Sequence, residues 1–168
     1  RSKMVNKSAL GKAIILNCAC GSGIQLAAHA AHLQRAALGI ELDSQRALAS
    51  AVNLQTIARS MNQHDSQRMN ETRVLCGDGR DGKGALESLQ GNLNLSQMPE
   101  IALLHLDPAR PRNSREHGLD EMAPRLDEIF TGWKPFLSEG KRGPSLLLDL
   151  SPRLSHQQRL QVESMVDS

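Results

Sequence analysis

The chain contains no tyrosine, and only two phenylalanines and one tryptophan among its 168 residues. That scarcity excludes base stacking on exposed aromatic platforms as a main mode of nucleic-acid binding. It also requires a core built from Leu, Ile, Val and Ala. A surplus of one charge is missing too: 20 Lys and Arg against 18 Asp and Glu leave a formal net charge of +2. Any basic footprint therefore has to be local. No stretch approaches the roughly 18 consecutive apolar residues of a membrane-crossing helix, so no membrane partner is expected. Arg1-Ser2-Lys3-Met4 is followed by no apolar segment of the kind that makes a secretory leader. Cysteines number three, at 18, 20 and 76. An odd count without framework spacing points to free thiols in a reducing compartment, the cytoplasm. Cys18-Ala19-Cys20 has a one-residue spacer and no second Cys/His pair at zinc spacing. The expectation is no metal, and small buried thiols near a strand end.

What is present fits one α/β domain. With 39% hydrophobic and 23% charged residues, residues 1–168 can bury a real core, alone or as a piece of a longer protein. Apolar runs at 13–16, 36–40, 72–76, 101–106 and 145–150 are short and near-continuous, as strands buried on both faces are. Helical spacing lies between them. Ile24 to Leu33 places Leu26 and Leu33 on one side. Asp43 to Met61 carries Leu48, Val52 and Ile57, with Asp43 or Ser44 able to cap it. Asp81 to Leu89 reads as a short helix, Leu119 to Leu137 as a longer one, and Ser155 to Val166 as a last helix capped by Ser155. Gln63 to Glu71, Gly91 to Pro99 and the Arg-rich Pro108 to Gly118 read as loops. The alternation of strand and helix argues for a right-handed, doubly wound sheet.

Four polar side chains close consecutive apolar runs: Asn17, Glu41, Asp78 and Asp107. In a parallel α/β sheet, ligands bind just outside the carboxyl ends of the strands. All four residues should therefore face one crevice. After the first run, Gly21 and Gly23 allow a sharp turn and close ligand approach, and the helix that follows offers its N-terminus to an anion. A dinucleotide fingerprint, G-x-G-x-x-G, would need glycine where Leu26 stands. Its close helix–strand contact is then not expected, which counts against NAD or FAD. Glu41 lies twenty positions after Gly21, placed to accept both hydroxyls of a ribose; the alternative is a solvated acid before a helix. Gly77 to Lys83 fits the start of a phosphate-binding loop, G-x-x-x-x-G-K. The Ser/Thr that would hold magnesium is replaced by Gly84, and a plain turn is a further alternative.

Asn17-x-Ala19-x-Gly21-x-Gly23 resembles motif I, D/E-x-G-x-G-x-G, of the class I S-adenosylmethionine-dependent methyltransferases. It departs from that motif at Asn17, which lacks the charge, and at Ala19. The resemblance implies a Rossmann-like three-layer α/β/α sandwich with a mostly parallel twisted sheet, here without the final strand hairpin. A further domain or a partner would then complete the sheet. It implies S-adenosylmethionine as cofactor, with Asn17, Ala19, Gly21 and Gly23 around the methionine end. Glu41 and Leu42 would lie at the ribose, and Asp78 and Gly79 at the adenine, with Asn53 matching a frequent Asn in the second helix.

Asp107-Pro108-Ala109-Arg110 is similar to the motif of class I methyltransferase-like proteins whose larger members carry a THUMP-like RNA-associated domain. Arg110, Arg112, Arg115 and His117 match their tendency to further basic residues, and Ser151-Pro152 matches a Ser-Pro after the fifth strand. The resemblance implies methyl transfer to RNA, tRNA or rRNA, with Asp107, Pro108 and Arg110 facing the reaction. Guanidiniums at 110, 112 and 115, with His117, would hold phosphates; a solvated basic loop is the alternative. No aromatic follows Pro108, as the enzymes that methylate amino groups of planar bases have. No cysteine follows Cys76, so the covalent route to pyrimidine carbon-5 is closed. A small-molecule or protein acceptor, or a non-catalytic RNA- or partner-binding descendant, remains open.

Overall fold

Ile14, Ile15 and Leu16 are all fully buried, as consecutive residues of a central strand covered on both faces are. The computed structural model describes residues 13–62, 66, 69–93, 99–109, 118–137, 145–150 and 152–167. Its strands are β1 (Ile14–Asn17), β2 (Ala37–Glu41), β3 (Arg73–Cys76), β4 (Ile101–Leu106) and β5 (Ser145–Leu148). They form one sheet in the order β3-β2-β1-β4-β5, and every pairing is parallel. The helices are α1 (Ile24–Leu33), α2 (Ser44–Ser60), α3 (Gly82–Leu93), α4 (Leu126–Trp133) and α5 (His156–Asp167). The architecture is a Rossmann-like α/β fold.

Period-two alternation divides the core between the faces. Ile15 and Ala37 pack with Leu26, Ala30, Leu54 and Ala58 of α1 and α2. Ile14, Leu16, Leu38 and Ile40 pack with Leu86 and Leu89 of α3, Ile129 and Trp133 of α4, and Val162 of α5. Three layers result. The helix caps follow local chemistry: Asp43 Oδ1 accepts from Arg46 N–H at 2.9 Å, and Ser155 Oγ accepts from Gln158 N–H at 3.2 Å.

Several expectations need correction. Burial on both faces holds for β1 and β2, but β3 and β5 are edge strands, half-buried with exposed positions. Cys76 is accordingly exposed, whereas Cys18 and Cys20 are buried; all three are free. On α2 the inward stripe is Ala47, Ser50, Leu54 and Ala58, while Leu48 and Val52 are 68% and 52% exposed. Small residues face inward because this helix lies close over the sheet and the glycine turn. Leu33 is exposed as well. Helix α3 runs on to Leu93, into the stretch expected as a loop, and residues 69–71 are helical. The helix expected over 119–137 is broken: a 3-10 turn at Leu119–Glu121, an extended Met122–Arg125 with a cis Ala123–Pro124 bond, then α4 and a second 3-10 turn at Lys134–Phe136. Pro124 has no N–H to give a helix, which stops it there.

Close helix–strand approach is present after all, with the glycine on the strand. A Cβ at Gly39 of β2 would fall 2.7 Å from Leu26 Cδ2 and 2.8 Å from Cys20 Sγ. Leu26 thus fills the space that Gly39 leaves, and α1 seats against β2 without a third glycine in its own turn.

Candidate functional site

Beyond the carboxyl ends of the strands lies a cavity of about 1030 Å³. It straddles β1, where the chain order of the sheet reverses, the place at which α/β sheets bind ligands. Ala19, Gly21, Glu41, Leu42, Asp78, Gly79, Asp107 and Pro108 all line it. Of the residues expected to meet there, Arg110, Arg112, Arg115 and His117 lie outside the described residues, as does Ser151. Not foreseen from the sequence is the opposite wall, Asp120 to Arg125 with Glu128, and the contributions of Gln25, Arg46 and Arg80. The one available signal was Pro124, which ends a helical pattern.

The glycine turn is held from behind. Gly21 and Gly23 have φ of 52° and 75°, the left-handed region that favours glycine. Helix α2 fixes their carbonyl neighbours: Ser50 Oγ donates to Gly21 O at 3.0 Å and Asn53 Nδ2 to Ser22 O at 2.9 Å. No described side chain caps the N-terminus of α1. Gly23 itself packs on Ser50 and does not line the cavity.

Glu41, 6% exposed, ties this turn to β2. Its Oε2 accepts from Gly21 N–H and its Oε1 from Asp43 N–H, both at 3.0 Å. A carboxylate offers about four acceptor positions, so both oxygens keep acceptor capacity, with the Arg46 guanidinium 3.9 Å from Oε1. Asn17 departs from its expected role. It is 1% exposed and does not line the cavity; Oδ1 accepts from Ala19 N–H at 3.1 Å and Nδ2 bonds His105 Nδ1 at 2.8 Å. The amide shapes the turn rather than reaching a ligand.

Asp78 is held by Arg80. Its oxygens accept from Arg80 N–H, Nε and Nη2 at 2.6–3.0 Å, and Arg80 Nη1 goes on to Glu128 of α4 at 3.1 Å. Hydrogen bonds from Arg80 hold the Asp78 carboxyl below the usual carboxylate range. The phosphate-loop alternative fails on this same turn. Arg80 N–H is bonded to Asp78 Oδ1, Asp81 N–H to Asp78 O, Gly84 N–H to Asp81 Oδ1 and Ala85 N–H to Asp81 O. Those donors serve the protein itself.

Gly79 shows why this loop is rigid. A Cβ there would overlap the carbonyl oxygen of Cys18, so the β3 turn lies directly on the β1 turn. The only tryptophan, Trp133, is fully buried and donates Nε1–H to Gly79 O at 2.7 Å. Burial pushes the Cys18 thiol far above its ordinary range and the Cys20 thiol to about 11. Neither is a nucleophile near neutral pH.

On the β4 side, Asp107 is half-buried and Pro108 is buried. Ala109 bridges Ala123 by two backbone hydrogen bonds, at 2.8 and 3.1 Å. That bridge hangs the 120–125 wall beside Asp107. Among the described lining side chains acids outnumber bases: Glu41, Asp78, Asp107, Asp120, Glu121 and Glu128 against Arg46, Arg80 and Arg125. Such a lining favours a ligand with positive charge. Among the described residues no cluster of His, Cys, Asp and Glu could hold a metal ion, and no helix is long and apolar enough to cross a membrane.

Fold and site together define a Rossmann-like α/β protein with a cavity at its strand ends. No protein-family model matches the chain and no curated protein does, so the geometry of the cavity carries the functional reading.

Proposed function

We propose that this chain binds S-adenosylmethionine and is the donor-binding domain of a methyltransferase, with RNA as the acceptor. The carrying observation is Glu41, a buried carboxylate at the end of β2 that faces the cavity with acceptor capacity on both oxygens. Two vicinal ribose hydroxyls match two carboxylate oxygens. The acidic lining suits a sulfonium donor, and the uncapped N-terminus of α1 suits its carboxylate. Asp78 would accept from the adenine amino group once Arg80 yields part of its hold. Asp107, with Pro108 stiffening its turn, would orient the acceptor or take its proton. Methyl transfer is an in-line displacement, so orientation is the main demand.

RNA rests on Arg110, Arg112 and Arg115, which directly follow the Asp107 turn in sequence. One observation favours a second reading. The wall beside Asp107 carries Asp120, Glu121 and Glu128, which suits a cationic small molecule or a protein amine better than a phosphate backbone.

Calorimetric titration with S-adenosylhomocysteine and with NAD tests the donor. The former binds and NAD does not. Glu41→Ala weakens the homocysteine ligand by about 10–100-fold, the worth of a charge-assisted hydrogen-bond pair. Absence of binding, with Glu41→Ala changing nothing, overturns the reading. Mass spectrometry of RNA from a strain lacking the gene decides the acceptor: a lost methyl mark supports RNA, and an unchanged profile leaves the second reading.

A further inference from the structure

Beneath the glycine turn runs a polar chain that the donor reading leaves unused. β1 and β4 are paired in register with Asn17 opposite His105, and His105 is 0% exposed. Polar side chains persist at such positions only when hydrogen-bonded. The bonding pattern assigns their hydrogens. Asn17 Oδ1 takes the Ala19 N–H, so Nδ2 is the atom turned to His105 and donates to its Nδ1. Nδ1 therefore bears the lone pair and Nε2 the hydrogen, which is donated to Asp149 Oδ2 at 3.1 Å. Asp149 is anchored in turn, its N–H bonding Leu106 O at 2.9 Å. From α1, His29 stands edge-on to the His105 ring, with centroids 4.6 Å apart at 88°, and fixes its plane.

This arrangement accounts for an amide at position 17. A carboxylate there would set lone pair against lone pair. The ring would then have to carry a hydrogen on Nδ1, which the tautomer bonded to Asp149 does not have. Asn17 thus matches a His105 ring with its lone pair on Nδ1.

We propose that His105 is the positioning residue of the methyl-donor site. It holds Asn17, Asn17 holds Ala19 N–H, and that bond joins those of Glu41 and Ser50 in shaping the Cys18–Gly21 turn that lines the cavity. The ligand in this statement rests on the donor reading; the hydrogen-bond chain does not.

Long-range ¹H–¹⁵N correlation spectra of the full chain test the chain itself. His105 shows an unprotonated Nδ1 and a protonated, exchange-protected Nε2. Asn17→Asp puts a hydrogen on Nδ1 and shifts the amide signals of Ala19, Cys20 and Gly21. S-adenosylhomocysteine titrations then test the consequence. His105→Leu weakens binding tenfold or more, and His105→Gln, which can accept from Asn17 and donate to Asp149, recovers most of it. A protonated Nδ1 in the wild type overturns the proposal, and so does His105→Leu binding as tightly as wild type. Should His105→Leu not fold, His105→Gln and Asn17→Asp decide by the turn's amide signals. A wild type that binds no homocysteine ligand removes the donor reading, while the ring tautomer and those amide signals still judge the positioning role.

Discussion

The two sides of the cavity are built by different physics. On the β1–β3 side, side chains tie the turns to backbone: Glu41 to two N–H groups, Ser50 and Asn53 to two carbonyls, and Trp133 to Gly79 O, with the Asp78–Arg80 pair exposed at the edge. On the β4 side, the 120–125 wall hangs from the Ala109–Ala123 bridge, and its charges are exposed, as in the Arg125–Asp127 pair. Buried matched groups lose much when one partner goes, whereas exposed ion pairs lose little. The first side is therefore fixed by its own bonding, and the second is a rim whose charges can change without unfolding the protein. On the proposed reading, the cofactor belongs to the first side and the acceptor to the second.

The sharpest way to break the contrast is Gly79→Ala. Its Cβ meets backbone rather than a movable side chain, so the loss should reach the upper end of overpacking costs, about 3 kcal/mol in urea denaturation. A neutral result would mean that the two turns are not in rigid contact. Next comes Trp133→Phe, which leaves Gly79 O unpaired and a small cavity where the larger indole stood; about 2 kcal/mol should be lost in the same assay. Equal stability to wild type would show that packing alone seats α4. The smallest effect belongs to Arg80→Ala, because this guanidinium is exposed. Asp78, held below its ordinary range by Arg80, contributes stability above the unfolded carboxylate pKa and loses it as pH falls below about 4. In the variant the Asp78 carboxyl titrates higher and the acid limb of stability against pH becomes slightly flatter. Urea midpoints across that window measure it, and an unchanged limb would deny the pair any energetic role.

Much of this was legible from the residues. The five strands and α1 follow from apolar runs and spacing, because burial on a sheet imposes a period that the sequence must carry. Glu41, Asp78 and Asp107 were identifiable because each closes such a run. The inward face of α2 was not, since Leu48 and Val52 are the apolar choice by spacing, and only the closeness of the turn decides for Ala47 and Ser50. Nor is the break at Met122–Arg125 legible in the apolar spacing; Pro124 is its one local signal.

What the sequence determined alone is the order of strands and helices and the polar residue at each strand end, for these depend on local pattern. What only the tertiary structure decided is which of those residues line the cavity. Asn17 and His105 are 88 positions apart, and no local rule connects them. Their pairing across β1 and β4 keeps Asn17 out of the cavity lining, because a buried amide takes the partners that the neighbouring strand provides.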